Sequence, residues 1–94
     1  MSLAPGDVLH GKYRIERVLG EGGMGVVMLA THLELDQPVA LKFLLPQALE
    51  HPEVVERFAR EAKAAAKIRG ANAVKVLDVG RTDEGAPFMV MEYL

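Results

Sequence analysis

The sequence predicts an α+β fold: a five-stranded antiparallel sheet with one long helix, in the order βββαββ. Three observations support it. Three β-forming stretches follow one another between Tyr13 and Leu45 with turn-forming residues between them, which implies an antiparallel meander. One long helical pattern then runs from about Glu53 to Ile68, and two more β-forming stretches follow.

Residues 1–12 read as an irregular lead-in, because Pro5, Gly6 and Gly11 interrupt any period. In the unit that spans 13–94, Tyr13, Ile15, Val18 and Leu19 are interleaved with charges, the pattern of a strand with one wet face. The glycine run turns the chain, and Val26 to Thr31 is apolar enough for a second strand. Leu35-Asp36-Gln37-Pro38 forms the hairpin tip that leads to the third strand, Val39 to Leu45, which Pro46 stops. His51-Pro52 places a proline where a first helical turn accepts it. Glu53 and Glu56 suit the positive end of the helix, and Lys67, Arg69 and Gly70 mark its stop. Val74 to Val79 and Phe88 to Leu94 read as the last strands, with Asp83-Glu84-Gly85 turning between them.

Half of the residues are hydrophobic and 26% charged, a globular composition, and a net charge of −2 argues against a nucleic-acid-binding domain. Nucleotides stay open as ligands, because a phosphate needs only a local cation. With no Cys, and with His10, His32 and His51 lacking ligand spacing, no metal site is expected. No apolar run approaches a membrane span and no leader pattern begins the chain, so the segment is expected to be cytoplasmic, without membrane contact.

Three local features carry chemistry. Leu19-Gly20-Glu21-Gly22-Gly23-Met24-Gly25-Val26-Val27 crowds four glycines between apolar stretches. Such a run serves either as an ordinary hairpin or as a loop whose backbone amides face a phosphate. On the helix, Val54, Phe58, Ala65 and Ile68 share one face, and Glu61 falls inside their stripe while Glu56, Arg57, Arg60, Lys63 and Lys67 fall on the solvated side. Burying an unpaired carboxylate costs several kcal/mol, so Glu61 either reaches water or meets a cation. The third strand is apolar apart from Lys42, which shares a face with Ala40 and Leu44. Lys42 either snorkels to water or pairs. A helix packed with Glu61 opposite Lys42 resolves both anomalies as one ion pair.

In order and spacing, these residues resemble the N-terminal lobe of a bacterial eukaryotic-like Ser/Thr protein kinase, and the resemblance covers Tyr13 to Leu94. Gly20-x-Gly22-x-x-Gly25-x-Val27 is similar to the family's phosphate-covering loop. Val39-Ala40-Leu41-Lys42 is similar to its third-strand lysine motif, Glu61 in Arg60-Glu61-Ala62 to its helix glutamate, and Phe88 to Leu94 to its fifth strand and hinge. A dinucleotide-binding loop would open a helix, whereas Val26 onward is β-forming, and a Walker loop would need Gly-Lys-Ser/Thr. Leu41 departs from the more usual Ile, and Gly70-Ala71-Asn72-Ala73 stands where the family often has His-Pro-Asn-Ile.

The resemblance implies ATP and Mg²⁺ as cofactors, protein Ser/Thr as the phosphate acceptor, and Lys42 and Glu61 as the catalytic ion pair. Gly20, Glu21, Gly22, Gly23, Met24 and Gly25 would cover the nucleotide, with the backbone of Gly22 to Gly25 over the phosphates. Leu19, Val27 and Ala40 would roof the adenine, Met91 would be the gatekeeper, and the backbone of Glu92, Tyr93 and Leu94 would bond the adenine edge.

The 94 residues hold no His-Arg-Asp loop and no Asp-Phe-Gly, so the chain reads as a fragment ending in the hinge, with the Mg²⁺ ligands and catalytic Asp expected in a second lobe and a membrane anchor allowed downstream in the parent. The second reading is a non-catalytic small-lobe module that self-associates through its exposed cleft face. The purified chain is expected to show negligible Mg-ATP-dependent phosphorylation of a generic protein substrate. Radiolabel transfer above background would refute this.

Overall fold

Alternating apolar residues build the sheet from strands whose two faces do different work. The computed structural model describes residues 3–68 and 75–93. Six strands, β1 (Val8–Leu9), β2 (Tyr13–Gly22), β3 (Gly25–His32), β4 (Gln37–Leu44), β5 (Val76–Arg81) and β6 (Pro87–Glu92), pair antiparallel in the order β1-β2-β3-β4-β6-β5. Two helices, α1 (Pro46–Leu49) and α2 (Pro52–Lys67), lie between β4 and β5. Gly70 as helix stop, the Gly70-Ala71-Asn72-Ala73 departure, the strand start at Val74 and Leu94 of the hinge lie outside the described residues.

The α+β architecture agrees with the expectation, with one strand more. β1 falls inside the lead-in and is too short for any periodic signal. It exists by pairing Val8 with Arg14 and Leu9 with Tyr13 across a tight turn, where His10 and Gly11 take φ values of 54° and 67°. Pro46 does more than stop a strand: it begins the single turn α1.

Along β4, Val39, Leu41 and Phe43 point to one side and are 2%, 0% and 0% exposed. They meet Ile15, Val26, Met28, Ala30, Phe88 and Val90 in one apolar cluster. Phe43 and Phe88 face each other across the β4–β6 ladder with ring centroids 5.7 Å apart. The sheet can enclose this cluster because it curls. β1 and β5 are its opposite edges, yet His10 Nε2, in the turn after β1, donates to the Arg81 carbonyl at 2.7 Å. Tyr13 Oη likewise donates to Asp78 Oδ2 at 3.4 Å, joining β2 to β5. Gly80 permits the close packing of β5 on β6: a Cβ there would sit 2.8 Å from Phe88 Cζ.

Two register shifts bend β2, after Ile15 and after Val18, leaving Glu16 and Leu19 without direct partners on β3. The Thr31 hydroxyl donates to Glu16 Oε2 at 2.6 Å and Arg14 Nε donates to the same oxygen at 3.0 Å. The Thr31 bond first, then the Arg14 bond, hold the Glu16 carboxyl below the ordinary carboxylate range.

Helix α2 packs along β5 and β6, outside the enclosed cluster. Among its described residues Ala62 alone is buried, and Val54, Phe58 and Ala65 are half-buried. Ile68, expected in the stripe, is the extended residue that ends the helix and is 62% exposed. No described helix is long and apolar enough to cross a membrane.

Burial, then the charge and hydrogen bond of Asp78, push the Tyr13 phenol above its ordinary value of 10.0. The folded state therefore holds this proton more tightly than the unfolded state, and Tyr13's contribution is complete below pH 10 and lost as pH rises through the folded value. Tyr13→Phe is expected to cost about 1 kcal/mol or less at neutral pH and to flatten the decline in stability above about pH 10, measured by urea unfolding across pH.

Candidate functional site

The face of β4 turned away from the enclosed cluster carries Ala40, Lys42 and Leu44. Ala40 and Leu44 are buried, and Lys42 is exposed between them. Register places Val27 of β3 opposite Lys42 and Gly25 opposite Leu44. Helix α2 stands beyond this face. The β2–β3 hairpin, β4 and α2 together enclose a cavity of about 410 Å³.

Three walls build it. The hairpin supplies Gly20, Glu21, Gly22, Met24, Gly25 and Val27. β4 supplies Lys42 and Leu44, and α2 supplies Val54, Arg57, Phe58 and Glu61, which recur at helical spacing on one side. The hairpin tip is tied down, because the Leu45 N–H donates to the Met24 carbonyl at 2.7 Å.

The glycines differ in why they are glycines. Gly23 takes a φ of 52° at the turn, a conformation unfavourable to other residues. At Gly25 a Cβ would lie 3.2 Å from the Phe43 carbonyl oxygen, so neighbouring backbone limits that position. Gly20 and Gly22 have neither reason: their φ values are not left-handed, and no atom lies within 4 Å of a Cβ built on either. Nothing among the described residues demands glycine at 20 or 22, and both border the cavity.

The structure thus brings Gly20, Glu21, Gly22, Met24, Gly25, Val27, Lys42 and Glu61 to one cavity, as the motifs anticipate. Others lie outside its wall. Leu19 is the residue skipped at the second register shift of β2. Ala40 and Met91 are cross-strand partners one step along the sheet from Lys42 and Met89. The N–H of Glu92 donates to the Lys75 carbonyl at 3.0 Å, so that part of the expected hinge is engaged within the chain. Tyr93 follows β6 and is 38% exposed.

The expected Lys42–Glu61 ion pair is not closed. Both side chains line the cavity, but no ion pair within 4 Å joins them among the described residues. Each is exposed, and an exposed pair gains too little Coulomb energy to fix two long side chains in one geometry. The helix stripe that held Glu61 is an edge stripe, with Ala62 as its buried member. Arg57 is exposed, as expected of the solvated side, and it also borders the cavity. Its signal was present in the sequence, since it precedes Glu61 by four residues, one helical turn.

A curled antiparallel sheet with a glycine hairpin facing a strand lysine and a helix glutamate is the architecture of a kinase N-terminal lobe. The protein kinase domain family matches residues 13–94, and the chain belongs to that family. It is 46% identical over 89 residues to the Ser/Thr-protein kinase pkn3 of Myxococcus xanthus, covering 95% of this chain and 16% of pkn3. It is 39% identical over 89 residues to the Ser/Thr-protein kinase PrkC of Bacillus subtilis, covering 95% of this chain and 14% of PrkC. A crystal structure of the Mycobacterium tuberculosis PknI kinase domain superposes with a TM-score of 0.80 at 35% identity, covering 100% of this chain and 36% of that one. The chain spans only 16% of the length of pkn3 and 12% of the length of the probable Ser/Thr-protein kinase pknA2 of Bifidobacterium longum, a curated relative 41% identical over 93 residues.

Because neither charge is desolvated or paired, Lys42→Met and Glu61→Gln are each expected to change unfolding free energy by less than about 0.5 kcal/mol, with no coupling in a double-mutant cycle. Chemical denaturation of the four variants checks this. A coupling above about 1 kcal/mol would show that the pair forms in solution.

Proposed function

We propose that the chain is the ATP-binding lobe of a kinase that transfers the ATP γ-phosphate to Ser/Thr hydroxyls of proteins. One observation carries this reading: glycines at 20 and 22 that the fold does not need border a cavity whose opposite wall presents an exposed lysine. Glycine without an internal reason leaves room for a ligand to approach the backbone closely. Such an approach brings N–H groups to phosphate oxygens, while Lys42 supplies the local cation.

The residues present fit a nucleotide. In this reading the backbone from Gly20 to Gly25 covers the phosphates, including the tip residues Gly23 and Met24. Lys42 meets the α and β phosphates, and Glu61 acts as a positioning residue that orients Lys42 when the two close. Leu19, Val27 and Ala40 form the roof over adenine, Met91 stands behind it, and Glu92, Tyr93 and Leu94 border its polar edge. Since the Glu92 N–H is engaged with Lys75, the adenine bonds there fall to other groups of that segment. When bound with the nucleotide, Mg²⁺ would supply charge neutralisation of the phosphates. The choice of Ser/Thr over Tyr rests on the names of the relatives, among which MasK of Myxococcus xanthus is a tyrosine-protein kinase at 39% identity over 88 residues. The cytoplasmic placement fits the same reading.

A second reading, self-association through the cleft side, is favoured by apolar exposure there: Met24 is 45% exposed and Leu19, Val27 and Met91 are half-buried. Concentration-dependent light scattering tests it, and a monomer at high concentration removes it.

Nucleotide titration followed by amide chemical shifts tests the first reading. Weak ATP binding is expected, with shifts at Gly20, Gly22 and Gly25. Lys42→Ala is expected to abolish it. Gly22→Ala is expected to weaken it about tenfold or more while leaving unfolding stability unreduced, since a methyl there meets open space. ATP binding indifferent to both substitutions would overturn the assignment.

A further inference from the structure

We propose that Arg57 is a second phosphate-facing cation of this cavity, giving the site its preference for nucleotides with more phosphates; the inference rests on the ATP reading above. Arg57, on α2, lines the same cavity as the glycine hairpin, one helical turn before Glu61. Lys42 enters from β4, so the two cations approach the same space from different elements.

Charge counting gives Arg57 its role. Four ionisable side chains border the cavity: Lys42, Arg57, Glu21 and Glu61. Once Glu61 orients Lys42, their charges cancel. Glu21 then remains, and without Arg57 the cavity would carry a net negative charge where a polyanion must enter. Arg57 removes that repulsion, and its planar guanidinium presents paired N–H donors that match two phosphate oxygens. It is exposed, and no ion pair within 4 Å engages it among the described residues, so no internal contact must break for it to serve.

A competing role, pairing with Glu61, would have an effect of the opposite sign. A local Arg57–Glu61 pair would draw Glu61 away from Lys42, and removing Arg57 would then strengthen ATP binding. For exposed groups on one helix that pair is weak, whereas the attraction of a cation for a polyphosphate grows with every added charge.

The test uses the 94-residue chain and the probes ATP, ADP and adenosine, with affinity read from amide shifts at low and physiological salt. Arg57→Ala is expected to weaken ATP about five- to tenfold, ADP less, and adenosine not at all, and to reduce the salt dependence of ATP binding. Arg57→Lys, which keeps the charge and loses the fork, is expected to fall between wild type and Arg57→Ala for ATP. Circular dichroism and thermal melts confirm that the variants are folded. Equal losses for all three probes, no loss, or tighter ATP binding by Arg57→Ala would overturn the inference while Lys42→Ala still abolished binding. Absence of ATP binding by the wild-type chain would overturn the ATP reading and this inference with it.

Discussion

Everything at the site depends on the sheet closing on itself. Because β2, β3, β4 and β6 contribute to one apolar interior, each of these strands has an inward face fixed by hydrophobic burial and an outward face released from that duty. β4 shows the division most clearly. Its inward residues Val39, Leu41 and Phe43 hold the core, and its outward face retains one exposed cation, Lys42, between buried Ala40 and Leu44. A lysine there costs little because it opens into a cavity, while its backbone sits on the central ladder between β3 and β6. Across the closing edges run the bonds from His10 to Arg81 and from Tyr13 to Asp78.

The same closure explains how α2 relates to the rest. In a flat sheet with one helix across it, the helix would cover the core, and its stripe would be the most buried surface of the helix. Here the core is complete without it, and α2 rests along β5 and β6 on small Ala62. A helix attached so lightly can carry charged groups toward the cavity, which is how both Glu61 and Arg57 come to border it.

Much of this was legible in the sequence, for identifiable reasons. The meander from Tyr13 to Leu44, the long helix and the last two strands each carried a periodic signal of several residues. β1 and α1 did not, since two paired residues or a single turn are set by tertiary contact. The faces of β4 were readable by parity, and with them the isolation of Lys42. What parity could not show was that the interior lay on the side away from the helix, because curvature comes from register shifts in β2 and from edge contacts distant in sequence. That Arg57 also borders the cavity was hidden for the same reason. A helical wheel ranks residues by their angle to an assumed core, and this helix faces a cavity as well as a sheet. The pairing of Lys42 with Glu61 was the inference that looked strongest from two misplaced charges, yet both are exposed, and exposure removes the penalty that made pairing necessary.

The hydrogen bond from the Leu45 N–H to the Met24 carbonyl joins the tip of the glycine hairpin to the residue that caps α1, from which the chain passes directly into α2. The hairpin tip is thereby tied to the start of the helical segment. The hairpin and the segment leading into α2 are in this sense joined at one corner of the cavity, by this bond and by the adjacent pairing of Gly25 with Leu44.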